Sequence, residues 1–183
     1  MSLRARSQGT HRTPFLLKQL CCPQCGAAET LNCHSKLYGN DPNSTDGQGR
    51  VQRGQRVWCC NRGQRGGCGR SFSIFLAEVL PRHTVTGPGL WRLLNRLLAG
   101  GSIKAAAEAL ALPFALETLY HVLHRLRQQL AGVRWVLCRQ QPPAASSQTD
   151  PLLQTVEHLR SLFAQGVCPV ADFQLHFQHA LLE

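Results

Sequence analysis

Carboxylates are what this sequence lacks most: ten Asp and Glu stand against twenty Lys and Arg. A hydrolase or nuclease that works through acidic side chains needs several of them converging on one ion. None of the ten falls in a strand pattern that would bring this about, and one loop offers only His34, Asp41 and Asp46. A non-catalytic role is therefore expected. Also missing is any run of about 18 apolar residues, so no membrane-spanning helix is expected. The opening stretch MSLRARSQGTHRTPF is basic but has neither the apolar run nor the cleavage site of a secretory signal. The expected location is cytoplasmic and of prokaryotic type, nucleoid-associated or within a nucleoprotein complex. Lysine is scarce as well, since 17 of the 20 basic residues are Arg.

That excess of arginine is the first positive signal. Net charge is +10, and it is unevenly placed. Residues 1–70 hold 11 Lys/Arg against 3 Asp/Glu, residues 71–140 hold 8 against 3, and residues 141–183 hold 1 against 4. Planar guanidinium forks match phosphates and guanine edges. A basic body with an acidic tail points to a polyanion partner, most simply nucleic acid, with DNA expected ahead of RNA. Nine cysteines is an odd number in a chain without a signal, which favours reduced thiols and metal ligation over a disulfide framework.

Composition divides the chain. Residues 1–14 read as a flexible basic arm, and residues 15–80 as a loop-rich, Cys-, Gly- and Arg-rich module held by something other than a core. Residues 81–139 carry helical periodicity, residues 140–150 form a Pro/Ala/Ser linker, and residues 151–183 form a C-terminal helical pair. Pro88 suits a first turn, and Leu90, Trp91, Leu94, Leu97 and Leu98 recur at helical steps until Gly100-Gly101. Ser102 is a ready N-cap for a short helix with Ile103, Ala106, Ala107 and Leu110 inward, stopped by Pro113. A third helix follows, with Leu116, Leu119, Leu123, Leu126 and Leu130 on one face, running through Gln129 or on towards Trp135. Asp150-Pro151 opens a fourth to about Gln165, and a fifth spans Val170 to Leu182. The apolar stripes of these last two can pack on the body, dock a protein partner or self-associate. A protein contact is expected of them.

The sharpest motif is Cys22-Pro-Gln-Cys25-Gly26. Two thiolates at this spacing reach one tetrahedral ion at about 2.3 Å. The glycine relieves the turn and lets backbone amides face the sulfurs. The second pair must come from Cys68 with Cys59 or Cys60, separated by the insert NRGQRGG. A strand reading of RVWCC puts Cys59 and Cys60 on opposite faces, so only one can face the metal. The expected site is Cys22, Cys25, Cys59 and Cys68 around a structural Zn2+, with Cys60 the close competitor of Cys59. Cys21, Cys33 and His34 are spares, and Cys138 and Cys168 read as small hydrophobes. Around the site Arg50, Arg53, Arg56, Arg62, Arg65 and Arg70 form a dense set, and on a hairpin alternate ones share a face that can track a phosphate backbone.

CPQCG, then RGQRVWCCNRGQRGGCGRSFS, then a three-helix segment together resemble the zinc-ribbon and helix-turn-helix head of insertion-sequence transposases and related mobile-element proteins. The resemblance covers roughly residues 20–130. In that family an aromatic residue precedes the third ligand, at the position of Trp58, which selects Cys59. SIKAAAEALALPFALETLYHVLHRL (Ser102–Leu126) is similar to the family's helix-turn-helix pattern, except that Ala111 replaces the usual turn glycine and LPFALE lengthens the turn. The family's nuclease domain has no counterpart here.

The resemblance implies a small α+β protein: a zinc ribbon of short β-hairpins, a helix-turn-helix domain and the C-terminal pair. It also implies a third helix that enters the major groove. On that helix Glu117, Thr118, His121, His124, Arg125 and Gln128 face outward, and Thr118, His121, Arg125 and Gln128 are expected at the nucleic acid. The function implied is non-catalytic, zinc-dependent recognition of double-stranded DNA, as a regulator or mobile-element accessory. The alternative is a small zinc-binding subunit of an RNA-guided, CRISPR-type effector that touches guide RNA or reads a short motif beside the target.

Overall fold

The computed structural model describes residues 2–5, 17–41, 49–63 and 66–182. Four strands form one sheet: β1 (Ser2–Ala5), β2 (Leu31–Asn40), β3 (Arg50–Cys59) and β4 (Ser71–Leu76), in the order β1-β4-β3-β2. β2, β3 and β4 make an antiparallel meander, and β1 adds to its edge parallel to β4. Part of the expected flexible arm is thus a strand. The cause is non-local, since Ser2–Ala5 finds its ladder partners at Ser73–Leu76. The rest of the arm lies outside the described residues.

Five helices follow. α1 (Gly87–Leu98) starts where the Thr86 hydroxyl accepts from the Gly89 amide, with Pro88 in the first turn, and ends at Gly100 in the left-handed conformation (φ 87°). α2 (Ile103–Ala109) is capped by Ser102, whose hydroxyl accepts from the Ala105 amide at 3.1 Å. α3 (Leu116–Gln140) is 25 residues long, passing the expected end near Trp135. It stops only where Gln141 precedes Pro142, because a residue before proline is disfavoured in the helical region. α4 (Pro151–Leu162) opens on Asp150, whose carboxylate accepts from the Leu152 amide at 2.8 Å. α5 (Pro169–Phe177) is shorter than expected: Gln178 turns left-handed (φ 51°), and residues 180–182 fold back into the core.

Two apolar clusters result. The larger gathers Leu90, Leu93 and Leu94 of α1, Leu119, Leu123, Leu126 and Leu137 of α3, Leu152, Val156 and Leu159 of α4, and Phe173 of α5. The smaller sits under the sheet and comprises Leu17, Cys22, Leu31, Val57, Cys59, Phe72 and Ile74. The apolar stripes of α4 and α5 are therefore spent inside the helical body. What they cover is α1 and α3, so the stripe expected to meet a protein partner is not on the surface.

Polar side chains clasp the segment joining sheet to helices. Gln174 donates to the carbonyls of Ala77 (2.5 Å) and Val79 (3.2 Å), and Arg4 donates to Val79 at 2.8 Å. Arg53 donates to the carbonyls of Leu80 (3.0 Å) and His83 (2.5 Å).

Candidate metal centre and basic faces

The turn that holds the first two cysteines closes on itself. The Cys22 amide donates to Ala27 O at 2.9 Å and the Gly26 amide to Cys22 O at 2.8 Å, with Gly26 left-handed (φ 74°). This geometry aims the Gln24 amide at Cys22 Sγ, 3.4 Å away. The second half repeats the device with a longer loop. Cys59 ends β3, its amide donating to Arg70 O at 2.9 Å, while the Gly69 amide donates back to Cys59 O at 3.0 Å. The Cys68 amide then donates to Cys59 Sγ at 3.2 Å. Gly67 is required at this crossing, because a Cβ there would stand 2.1 Å from Cys60 O and 2.6 Å from Cys59 Sγ.

These two turns bring the four expected thiols together. Cys22 and Cys68 sulfurs are 3.8 Å apart, those of Cys25 and Cys59 are 3.7 Å apart, and all four lie within 4.8 Å of one another. A tetrahedral ion with metal–sulfur bonds of about 2.3 Å needs sulfurs about 3.8 Å apart, so the set fits one metal ion. Among the described residues no other group of three or more Cys, His, Asp or Glu stands at ligand spacing. The choice between Cys59 and Cys60 is resolved by backbone pairing. The Cys60 amide donates to Thr30 O at 2.8 Å and its sulfur lies by Arg62 O, away from the cluster. Cys21, Cys33 and His34 are exposed and apart from it, and Cys138 is exposed on α3.

Thr30 is the member that sequence reasoning misses. It is buried, and its hydroxyl lies 3.1 Å from Cys59 Sγ and 3.2 Å from Ala27 O. One proton serves these two acceptors, and a Cys59 thiolate draws it. Burial pushes the Cys59 thiol up, but hydrogen bonds from the Thr30 hydroxyl, the Cys68 amide and the Cys22 and Cys25 thiols outweigh it and bring Cys59 down to about 7. At Cys22 burial prevails. The Gln24 and Cys25 amides oppose it only in part, and the thiol is pushed up to about 11. Of these two thiols Cys59 is the readier to ionise, and Cys22 would give up its proton to a cation that takes its place.

The two sides of the sheet differ. Val57, Cys59, Phe72 and Ile74 face the small core. Trp58 lies on the other side, with Asn32 and Ser71 as its ladder neighbours, and Arg56 follows there opposite Ser35 and Ser73. Arg50, Arg56, Arg62 and Arg70 are all exposed. The Arg62 guanidinium lies over the Trp58 ring at 5.9 Å from its centroid, and Arg70 donates to Gln24 Oε1 at 3.1 Å. Arg53 departs from the expected strip: it lies where the β2–β3 ladder is irregular, between the pairs Leu37–Gly54 and Tyr38–Gln52, its fork is engaged by the carbonyls of Leu80 and His83, and burial lowers its pKa. Arg65 lies outside the described residues.

On α3, Leu119, Val122, Leu123 and Leu126 are buried, while Thr118, His121, His124, Arg125 and Gln128 are exposed. Gln128 Nε2 lies 3.0 Å from His124 Nε2, which fixes that ring nitrogen as the acceptor. The exposed face continues past the expected recognition half to Trp135, under Arg139 at 4.9 Å. No helix of the described residues is long and apolar enough to cross a membrane. No protein-family model, curated protein or solved structure matches this chain.

Proposed function

We propose that this chain is a non-catalytic, zinc-dependent nucleic-acid-binding protein that docks on double-stranded DNA. The observation that carries the reading is the coincidence of a four-thiol cluster with exposed arginines on the hairpin and loop that the cluster ties down. Four thiolates at tetrahedral spacing, with amides and a hydroxyl on the sulfurs, are the donor set of a closed structural zinc site. The ion supplies folding free energy rather than chemistry. Arg50, Arg56, Arg62 and Arg70 supply the phosphate contacts, and Thr118, His121, Arg125 and Gln128 of α3 supply the base-edge and backbone contacts of a helix laid in the major groove. The resemblance to transposase DNA-binding heads supports the same assignment.

The test is a fluorescence-anisotropy titration of a labelled duplex across salt concentration. Affinity should fall with a log–log slope of about −0.9 per phosphate neutralised, and Arg56→Ala or Arg62→Ala should each reduce that slope by about one. A salt-independent isotherm, or no binding at low salt, would remove nucleic acid as the partner.

A further inference from the structure

The surroundings of Trp58 are not those of a strip that only follows phosphates. On the sheet face away from the small core, its two ladder neighbours are Asn32 and Ser71, neither of them acidic. Each of these small side chains carries a cation. Asn32 Oδ1 accepts from Lys18 Nζ at 2.8 Å, and Ser71 Oγ accepts from Arg56 at 3.0 Å. The third cation, Arg62, lies over the indole itself. None of the three is paired to a carboxylate among the described residues, and Arg56 and Arg62 are exposed. Trp58 directly precedes the cluster cysteine Cys59, whose amide donates to Arg70 O at 2.9 Å, so the ring stands beside the cysteine cluster on a paired strand.

We infer that this face binds a single-stranded stretch of nucleic acid, with one unpaired base stacked on Trp58 and its flanking phosphates held by Lys18, Arg56 and Arg62. An indole with one guanidinium over its ring and two further cations held on its ladder neighbours, none paired to a carboxylate among the described residues, complements a planar π-system with negative charge on either side of it, which is a nucleotide within a strand. A paired base in a duplex keeps both faces against its neighbours and cannot offer one to the indole, whereas every unpaired base has a free face. The loop position of Arg62 lets its guanidinium leave the indole for the base or the phosphate, since it stacks on either ring and pairs with phosphate. The inference rests on the nucleic-acid reading above and adds one unpaired base on Trp58 to the phosphate contacts that Arg56 and Arg62 make on this face.

The experiment compares a labelled twelve-nucleotide oligo(dT) with a twelve-base-pair duplex at one salt concentration, using full-length wild type, Trp58→Ala and Trp58→Phe. The expected result is a loss of about tenfold or more in oligo(dT) affinity for Trp58→Ala, retention within about threefold for Trp58→Phe, and duplex affinity within about twofold for both. Metal content and circular dichroism identify a variant that has lost its fold, and Trp58→Phe keeps a ring on the strand in that case. Equal oligo(dT) binding by wild type and a folded Trp58→Ala overturns the inference. So does a Trp58→Phe that loses oligo(dT) and duplex alike, which would make Trp58 structural. Wild type that binds duplex but not oligo(dT) overturns the inference and leaves the proposed function standing. Wild type that binds neither removes both, and Trp58-dependent binding of oligo(dT) without duplex binding upholds the inference against the duplex reading.

Discussion

The sheet and the helical body solve the problem of staying folded in different ways. Under the sheet only seven described apolar side chains are buried, and two of them, Cys22 and Cys59, belong to the cysteine cluster. The helical body buries Leu90, Leu93, Leu94, Leu119, Leu123, Leu159 and Phe173 with thirteen others around them. Fully burying one such side chain is worth about 1.5–3 kcal/mol, so the helical body has ample driving force of its own. The sheet module cannot match it, and on the proposed reading the balance comes from the ion. The proposed contacts follow the same division. The part that would depend on the ion carries the clustered arginines and Trp58, while the part that depends on packing carries the long exposed face of α3.

The largest effect should come from taking the metal away. Chelation, or Cys59→Ser, should abolish amide protection in β2, β3 and β4 while α1, α3 and α4 stay protected, as read by hydrogen exchange of the full chain. Structural zinc of this ligand set binds with an apparent ~10–16 kcal/mol, far more than the small core supplies. Uniform protection after metal removal would show that the sheet stands on its own packing and would erase the contrast.

The converse break is Leu123→Ala. Leu123 is buried within the core shared by α1, α3 and α4, and truncation there should cost about 2–5 kcal/mol in urea denaturation. Metal stoichiometry and β3 protection in native buffer should not change, because none of the four thiols touches that core. Loss of metal along with the helices would mean that the clasps from Arg53, Gln174 and Arg4 make one cooperative unit of the two regions.

A smaller effect separates the regions by pH. His158 is buried on α4, where its Nε2 donates to Gln141 O at 3.0 Å and burial disfavours the charged ring. Burial lowers its pKa, the Gln141 carbonyl opposes this, and Arg134 adds to it. In that window the unfolded chain binds the extra proton, so stability is full above about pH 6.5 and declines as pH falls through the window below it. One group contributes at most about 1.4 kcal/mol per pH unit. The urea midpoint of the helical body, followed by the helical signal, should drop between pH 7.5 and 5.5, and His158→Gln should flatten that slope. An unchanged slope in His158→Gln would assign the acid sensitivity elsewhere.

How much of this is legible beforehand depends on how local the cause is. The helix starts at Ser102 and Asp150 are legible because a cap and its amide sit within three residues. The thiol cluster is legible because C-x2-C is a local turn with one ionic use. Alternation in a strand leaves Cys59 and Cys60 as two phases; only the resemblance at Trp58 points to Cys59, and in the fold the Cys60 amide is instead engaged by Thr30 O, thirty residues earlier. Thr30 itself carries no signal in the sequence for the same reason. β1 depends on a parallel partner about seventy residues away, and Arg53 on carbonyls of Leu80 and His83 that only the tertiary fold brings near. The burial of α4 and α5 is also a packing outcome: an amphipathic stripe states that a face will be covered, not by what.

The smallest expected effect lies in the turn between α2 and α3. Ala111 follows α2 with φ 44°, the left-handed conformation, and the Leu112 amide donates to Ala107 O at 3.2 Å across the turn. This is where the resembled helix-turn-helix pattern has glycine, and the chain takes the glycine conformation without the residue. An L side chain there carries about 1–2 kcal/mol of steric cost, of which the greater freedom of glycine in the unfolded chain takes back part. Ala111→Gly should therefore stabilise the helical body by up to about 1 kcal/mol, visible as a rise of a few degrees in its melting temperature. Ala111 is exposed, so no packing is lost in the exchange. Ala111→Val should move the midpoint the other way by more, since a β-branched residue tolerates that conformation least. If glycine destabilises instead, the turn in solution is not left-handed, and the angle at which α3 leaves α2 differs from the one described.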